Sequence, residues 1–98
     1  MTVEQEEVNT IRLTGPLTLY EVSEVCETLR MALSDGKPVR IDLSDSGPWD
    51  LAGLQLLISC EKTARDRGQT VHLVNIPGVC TEIAERSGLS KWLLTVRE

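Results

Sequence analysis

The sequence predicts an α/β fold: one small domain spanning residues 1–98, a mixed sheet with a parallel βαβ core and an N-terminal hairpin or edge strand. Three observations predict it. Short aliphatic runs at Ile11 to Leu13, Val39 to Leu43 and Val71 to Val74 recur along the chain. Between them lie stretches with apolar residues at helical spacing, long enough to cross back over a sheet. Each change of period is punctuated by glycine, proline or a polar turn. A strand, a helix of this length and another strand make a right-handed parallel crossover the expected connection.

The first strand is expected where Ile11 and Leu13 alternate with Thr10, Arg12 and Thr14, until Gly15 and Pro16 break it. Val3 to Val8 carries a weaker pattern, apolar only at its ends, and would supply the partner of a hairpin. Thr18 and Glu21 stand at the spacing of a capping box, so a helix is expected to start there. Val22, Val25, Cys26, Leu29 and Leu33 continue it, and Gly36 with Pro38 ends it. Glu24, Glu27 and Arg30 form its solvated face. Val39, Ile41 and Leu43 make the next strand, followed by a turn rich in acids and small residues.

From Asp50, placed as an N-cap, Leu54, Leu57, Ile58 and Cys60 oppose Glu61, Lys62, Arg65 and Asp66 in an amphipathic helix that ends near Gly68. Val71, Leu73 and Val74 form a strand. Pro77 suits a first helical turn, and Val79, Cys80, Ile83 and Ala84 carry a third helix to a stop at Gly88. Lys91 to Val96 is apolar enough to be packed, as a last strand or a docking tail.

Ten basic residues against fifteen acidic ones give a net charge of -5, a field that repels nucleic acid and anionic lipid surfaces. No apolar run approaches the ~20 residues of a membrane span, and the opening Met1-Thr2-Val3-Glu4 does not read as a signal peptide. A cytoplasmic location without membrane insertion is expected. Cys26, Cys60 and Cys80 lack any Cys-x-x-Cys pairing, and packing is the simpler role for each.

Asp42, Asp45 and Asp50 could in principle hold a hard cation, but their spacing is not that of a calcium loop. A strand end, a turn and a helix cap explain them more simply. His72, the only histidine, lies within a strand with no marked serine partner, and the glycines do not form a phosphate loop. No catalytic residue, metal site or cofactor is expected. Trp49, just before the cap, either packs as a staple on the first helical turn or stands exposed as an interface anchor. Leu51 at the first helical position either adds apolar surface to the helix start or folds back onto the core.

The order of strand, Asp42-Leu43-Ser44, turn, Asp50-Leu51-Ala52-Gly53-Leu54, amphipathic helix, Gly68, strand Val71 to Val74, Pro77 and a helix ending at Ser87-Gly88-Leu89 resembles the STAS domains. These include bacterial anti-sigma factor antagonists, domains of other bacterial signalling systems and small cytosolic partners of lipid-transport ATPases. In the antagonists, the helix opens with aspartate, a phosphorylated serine or threonine, a small residue, glycine and an aliphatic residue. Asp50, Ala52, Gly53 and Leu54 match that pattern, and Leu51 occupies the phosphoacceptor position. Leucine has no oxygen nucleophile, so the ~-1.5 to -2 charge of a phosphate cannot arise there.

The resemblance implies a non-catalytic interaction module of a bacterial regulatory system. It would dock a regulatory partner, an anti-sigma or kinase-like protein, through Trp49, Asp50, Leu51, Ala52 and Gly53. The alternatives are a cytoplasmic subunit of a membrane lipid-transport ATPase complex and, less simply, an acidic phosphorelay domain. A phosphorelay receiver would bring an acidic pair to the end of the strand at Leu13 and a lysine near Val74 to Pro77, and neither is present.

Overall fold

The computed structural model describes residues 8–98. Three strands, β1 (Asn9–Arg12), β3 (Val39–Asp42) and β5 (Val71–Val74), form a parallel sheet in the order β1-β3-β5. Its register aligns Ile11 with Ile41 and Leu73, so one row of aliphatic side chains runs across the sheet. Among the described residues β1 is therefore an edge strand. Residues 3–7, most of the expected hairpin partner, lie outside the described residues.

A second sheet is short: β2 (Gly15–Leu17) pairs in parallel with β4 (Ser46–Trp49). Neither strand was expected, because Gly15, Pro16, Gly47 and Pro48 read as breakers. The pairing survives because it requires only Gly15 opposite Ser46 and Leu17 opposite Trp49, with a register shift between them. Gly15, at φ 79, occupies a backbone region that a side chain would strain.

Helix α1 (Val22–Ala32) begins after the expected capping box and not within it. The Glu21 carboxylate does return to the Thr18 N–H at 3.0 Å, but the Thr18 hydroxyl donates to the same carboxylate instead of capping the helix. Thr18 to Glu21 is thereby closed into a turn that precedes the helix. Helix α2 (Leu51–Asp66) starts where Asp50 placed it, and α3 (Gly78–Arg86) follows Pro77.

The segment expected as a last strand or docking tail is a helix, α4 (Ser90–Val96). Its spacing explains the difference: Leu93 and Val96 are three apart and both buried, which is helical periodicity too short to be distinctive in sequence. The Trp92 indole N–H donates to Glu61 at 3.1 Å, so Glu61, expected on the solvated face of α2, is a buried tie between α2 and α4. Beyond α4, the Glu98 N–H donates to the Leu73 carbonyl and the Glu98 carboxylate pairs with Arg40.

The four described helices and both sheets feed one core, which includes Leu29 from α1, Leu54 and Leu57 from α2, Cys80 and Ala84 from α3, and Leu93 from α4. Cys80 is buried there, and desolvation pushes its thiol up to about 12, consistent with a packing role.

The carboxyl ends of the strands are joined by Asp42. Its Oδ1 accepts from the Asn75 side chain at 3.0 Å and the Ser44 N–H at 2.9 Å, and its Oδ2 lies 3.4 Å from the Arg12 guanidinium. These bonds, Asn75 first, lower its pKa from 3.8 to about 2. The folded value lies below the unfolded one, so the stabilisation is present above pH 3.8 and is lost as pH falls through about 2. Asp42→Asn should lower the urea midpoint at neutral pH and flatten its decline across that acid window. A decline as steep as in the native protein would assign the acid sensitivity to other carboxylates.

Candidate partner-docking site

The chain leaves β4, turns at Asp50 and enters α2 against the backbone of β2. Asp50 has extended backbone angles, and its Oδ1 accepts from the Gly53 N–H at 3.1 Å, the bond of an N-cap. Its Oδ2 accepts from the Leu19 N–H at 2.9 Å. The Asp50 N–H donates to the Leu17 carbonyl at 3.3 Å. One residue therefore ends a strand pairing, starts a helix and holds the loop before α1.

Trp49 is only 7 % exposed, so of its two readings the structure shows the packed one. The indole N–H donates to Ser46 Oγ at 2.9 Å, and that hydroxyl donates to the Leu43 carbonyl. Gly53 is likewise buried. A Cβ there would overlap the Leu17 carbonyl oxygen and come within 3.1 Å of the Trp49 ring. Trp49 and Gly53, both expected at the docking site, lie buried beneath the helix start.

Leu51 faces outward in part, at 39 % exposure, and Ala52 is half-buried. The site extends beyond the expected residues. Leu19 and Tyr20 are exposed by 66 % and 92 %, and the Leu19 backbone is held to the Asp50 carboxylate. Leu19 precedes Val22 by three residues and so fits the helical stripe in sequence. Tyr20 does not fit that stripe, and this was the available signal.

The three aspartates do not converge. Asp42 is occupied by Asn75, Ser44 and Arg12, Asp50 by two backbone N–H groups, and Asp45 is an exposed partner of Arg12 at 3.5 Å. Among the described residues no group of three or more His, Cys, Asp or Glu is placed to hold a metal ion. His72 stands opposite Arg40 in the sheet, with its Nδ1 buried. No described helix is long and apolar enough to cross a membrane.

A small parallel sheet packed with helices, and a capped helix start at the carboxyl end of the strands, defines an α/β domain of the STAS type. A family model described as "Mlab, STAS domain" matches residues 1–96, and the chain belongs to the STAS domain family. A search among curated proteins gave no match. Among solved structures, a sulfate transporter family protein from Wolinella succinogenes is similar with a TM-score of 0.71 and 17 % identity, over 92 % of this chain and 75 % of that one. The anti-sigma factor antagonist SpoIIAA in its unphosphorylated form is similar with a TM-score of 0.64 and 16 % identity, over 86 % of this chain and 78 % of that one. At identities this low, the likeness shows the shared fold alone.

Two substitutions test the architecture of the site. Asp50→Ala should cost about 0.5–2 kcal/mol in denaturant melts, and Asp50→Asn less, because an amide keeps one acceptor for the Gly53 N–H. Both should speed hydrogen exchange at the Leu19 amide; unchanged exchange would remove Asp50 as the tether of that loop. Gly53→Ala should destabilise by about 1–3 kcal/mol despite alanine's better helix propensity, since the new methyl meets backbone. A neutral or stabilising result would mean that α2 can lift from β2 at little cost.

Proposed function

We propose that this STAS domain is a non-catalytic interaction module that docks a regulatory protein on the apolar surface of Leu51, Leu19 and Tyr20. The observation that carries the reading is the Asp50 carboxylate, which anchors Leu19 beside the helix that begins with Leu51. Three large apolar side chains are thus exposed on segments joined by one residue. Exposed apolar residues grouped in this way mark interaction surfaces, and tyrosine is among the residues enriched at their energetic centres.

Leu51 makes the contact constitutive. A domain with serine or threonine at this position can be switched by phosphorylation, whereas Leu51 keeps an apolar face toward the partner in every state. The partner is an anti-sigma or kinase-like protein by the likeness to SpoIIAA. A second reading, a cytoplasmic subunit of a membrane transport complex, is favoured by the similarity to the sulfate transporter family protein. Co-purification with a transport ATPase would select it over the first.

Leu51→Glu should abolish capture of the partner from a lysate of the native host, and Tyr20→Ser should weaken it by about tenfold or more, within the range of an interface hot spot. Both positions are at the surface, so thermal melts should stay close to the native protein. Undiminished capture by a folded Leu51→Glu protein would overturn the docking surface.

A further inference from the structure

The first turn of α2 is given over to Leu51, but a separate cleft opens further along the same helix, where it packs against α1. Its volume is about 290 Å³, close to the lower end of small-molecule sites, ~300–1,000 Å³. A neighbouring hollow shares Cys26, Arg30 and Leu56 with it, so the two form one groove along the α1 and α2 seam. From Leu56 to Arg67 the α2 wall runs for about 16 Å at ~1.5 Å per residue.

The lining divides by chemistry. Cys26, Leu56 and Cys60 give an apolar floor, with Cys26 and Cys60 only partly covered. Burial first, and the neighbouring Cys26 second, push the Cys60 thiol up to about 11, while the Arg30 charge acts on it in the opposite direction. The thiols and the Arg30 guanidinium therefore share one small space.

Arg30 from α1 and Arg67 from the end of α2 line the cleft, together with Ser59 and Thr63 of α2. Arg30 makes a surface ion pair with Glu27 at 3.3 Å, of a kind that exchanges partners at little cost. Arg67 has no ion pair among the described residues. In a chain with net charge -5, two arginines, a serine and a threonine lining one cleft, against the single carboxylate of Glu27 in the adjoining hollow, make a local site for an anion.

We propose that this groove binds single-chain anionic amphiphiles, alkyl carboxylates or alkyl phosphates, with the anionic head between Arg30 and Arg67 and the chain along Cys26, Leu56 and Cys60. A bare anion would leave the apolar floor uncovered, and a neutral chain would leave the Arg67 guanidinium without an anion and Arg30 with Glu27 alone. The shared requirement is one anionic head on one alkyl tail.

The test is a heteronuclear NMR titration of the whole chain with decanoate and with decyl phosphate, each below its micelle concentration. Inorganic phosphate and decyltrimethylammonium serve as controls. The proposal expects saturable shifts confined to α1 and α2 for one or both anionic amphiphiles, with the controls weaker by about tenfold or more. The two amphiphiles distinguish a carboxylate source from a phosphate source.

Arg30 and Arg67 are both exposed, so Arg30→Glu/Arg67→Glu should remain folded and weaken binding by at least about tenfold, as loss of charge-assisted hydrogen bonds requires. Ser59→Trp, which fills the groove from an exposed position, should abolish it. Shifts that do not saturate, equal binding of the cationic amphiphile, or full affinity in the folded double charge reversal would each overturn the proposal.

Discussion

Helix α2 enters so close to β2 that only a hydrogen can stand at residue 53. The carbonyl oxygen of Leu17 occupies the space a Cβ would need, and the Trp49 ring lies against the same position. This contact sets the height of the helix above the small sheet, and the other features of the site follow from that height. The Asp50 N–H reaches Leu17, its carboxylate caps the helix, and the second oxygen reaches across to Leu19. A bulkier residue would lift the helix and break these bonds together, because they share one backbone approach.

The consequence for function is that the exposed surface is positioned by buried groups. Trp49 is almost wholly covered, yet it packs beneath the turn that presents Leu51, and its indole N–H is satisfied by Ser46. Binding surfaces built on such supports lose little freedom when a partner arrives, which leaves more of the contact energy as affinity. The charge at the helix start is also spent internally: both Asp50 oxygens are engaged by backbone donors. What remains outward is apolar.

Much of this was legible in the sequence. The parallel core, the Asp50 cap and the third helix followed from periodicity and punctuation, which act locally and leave residue-level signals. β2 and β4 were hidden because their pairing depends on residues some thirty positions apart and uses glycine and proline, whose local preferences argue for a turn. α4 was hidden for a different reason: seven residues hold too few apolar positions to separate a helical from an extended period. Within the site, Asp50 and Leu51 were visible, while Leu19 and Tyr20 became part of it only through the hydrogen bond from residue 19 to residue 50.

Glu98 carries an unexpected duty. Glu98 bonds the Leu73 carbonyl through its N–H and Arg40 through its carboxylate, so it sits on the outer margin of β5. A parallel sheet ends there in backbone groups that would otherwise template the addition of a foreign strand. By covering part of that margin with its own chain, the domain discourages edge-to-edge polymerisation. A strand arriving from outside would find the Leu73 carbonyl already taken.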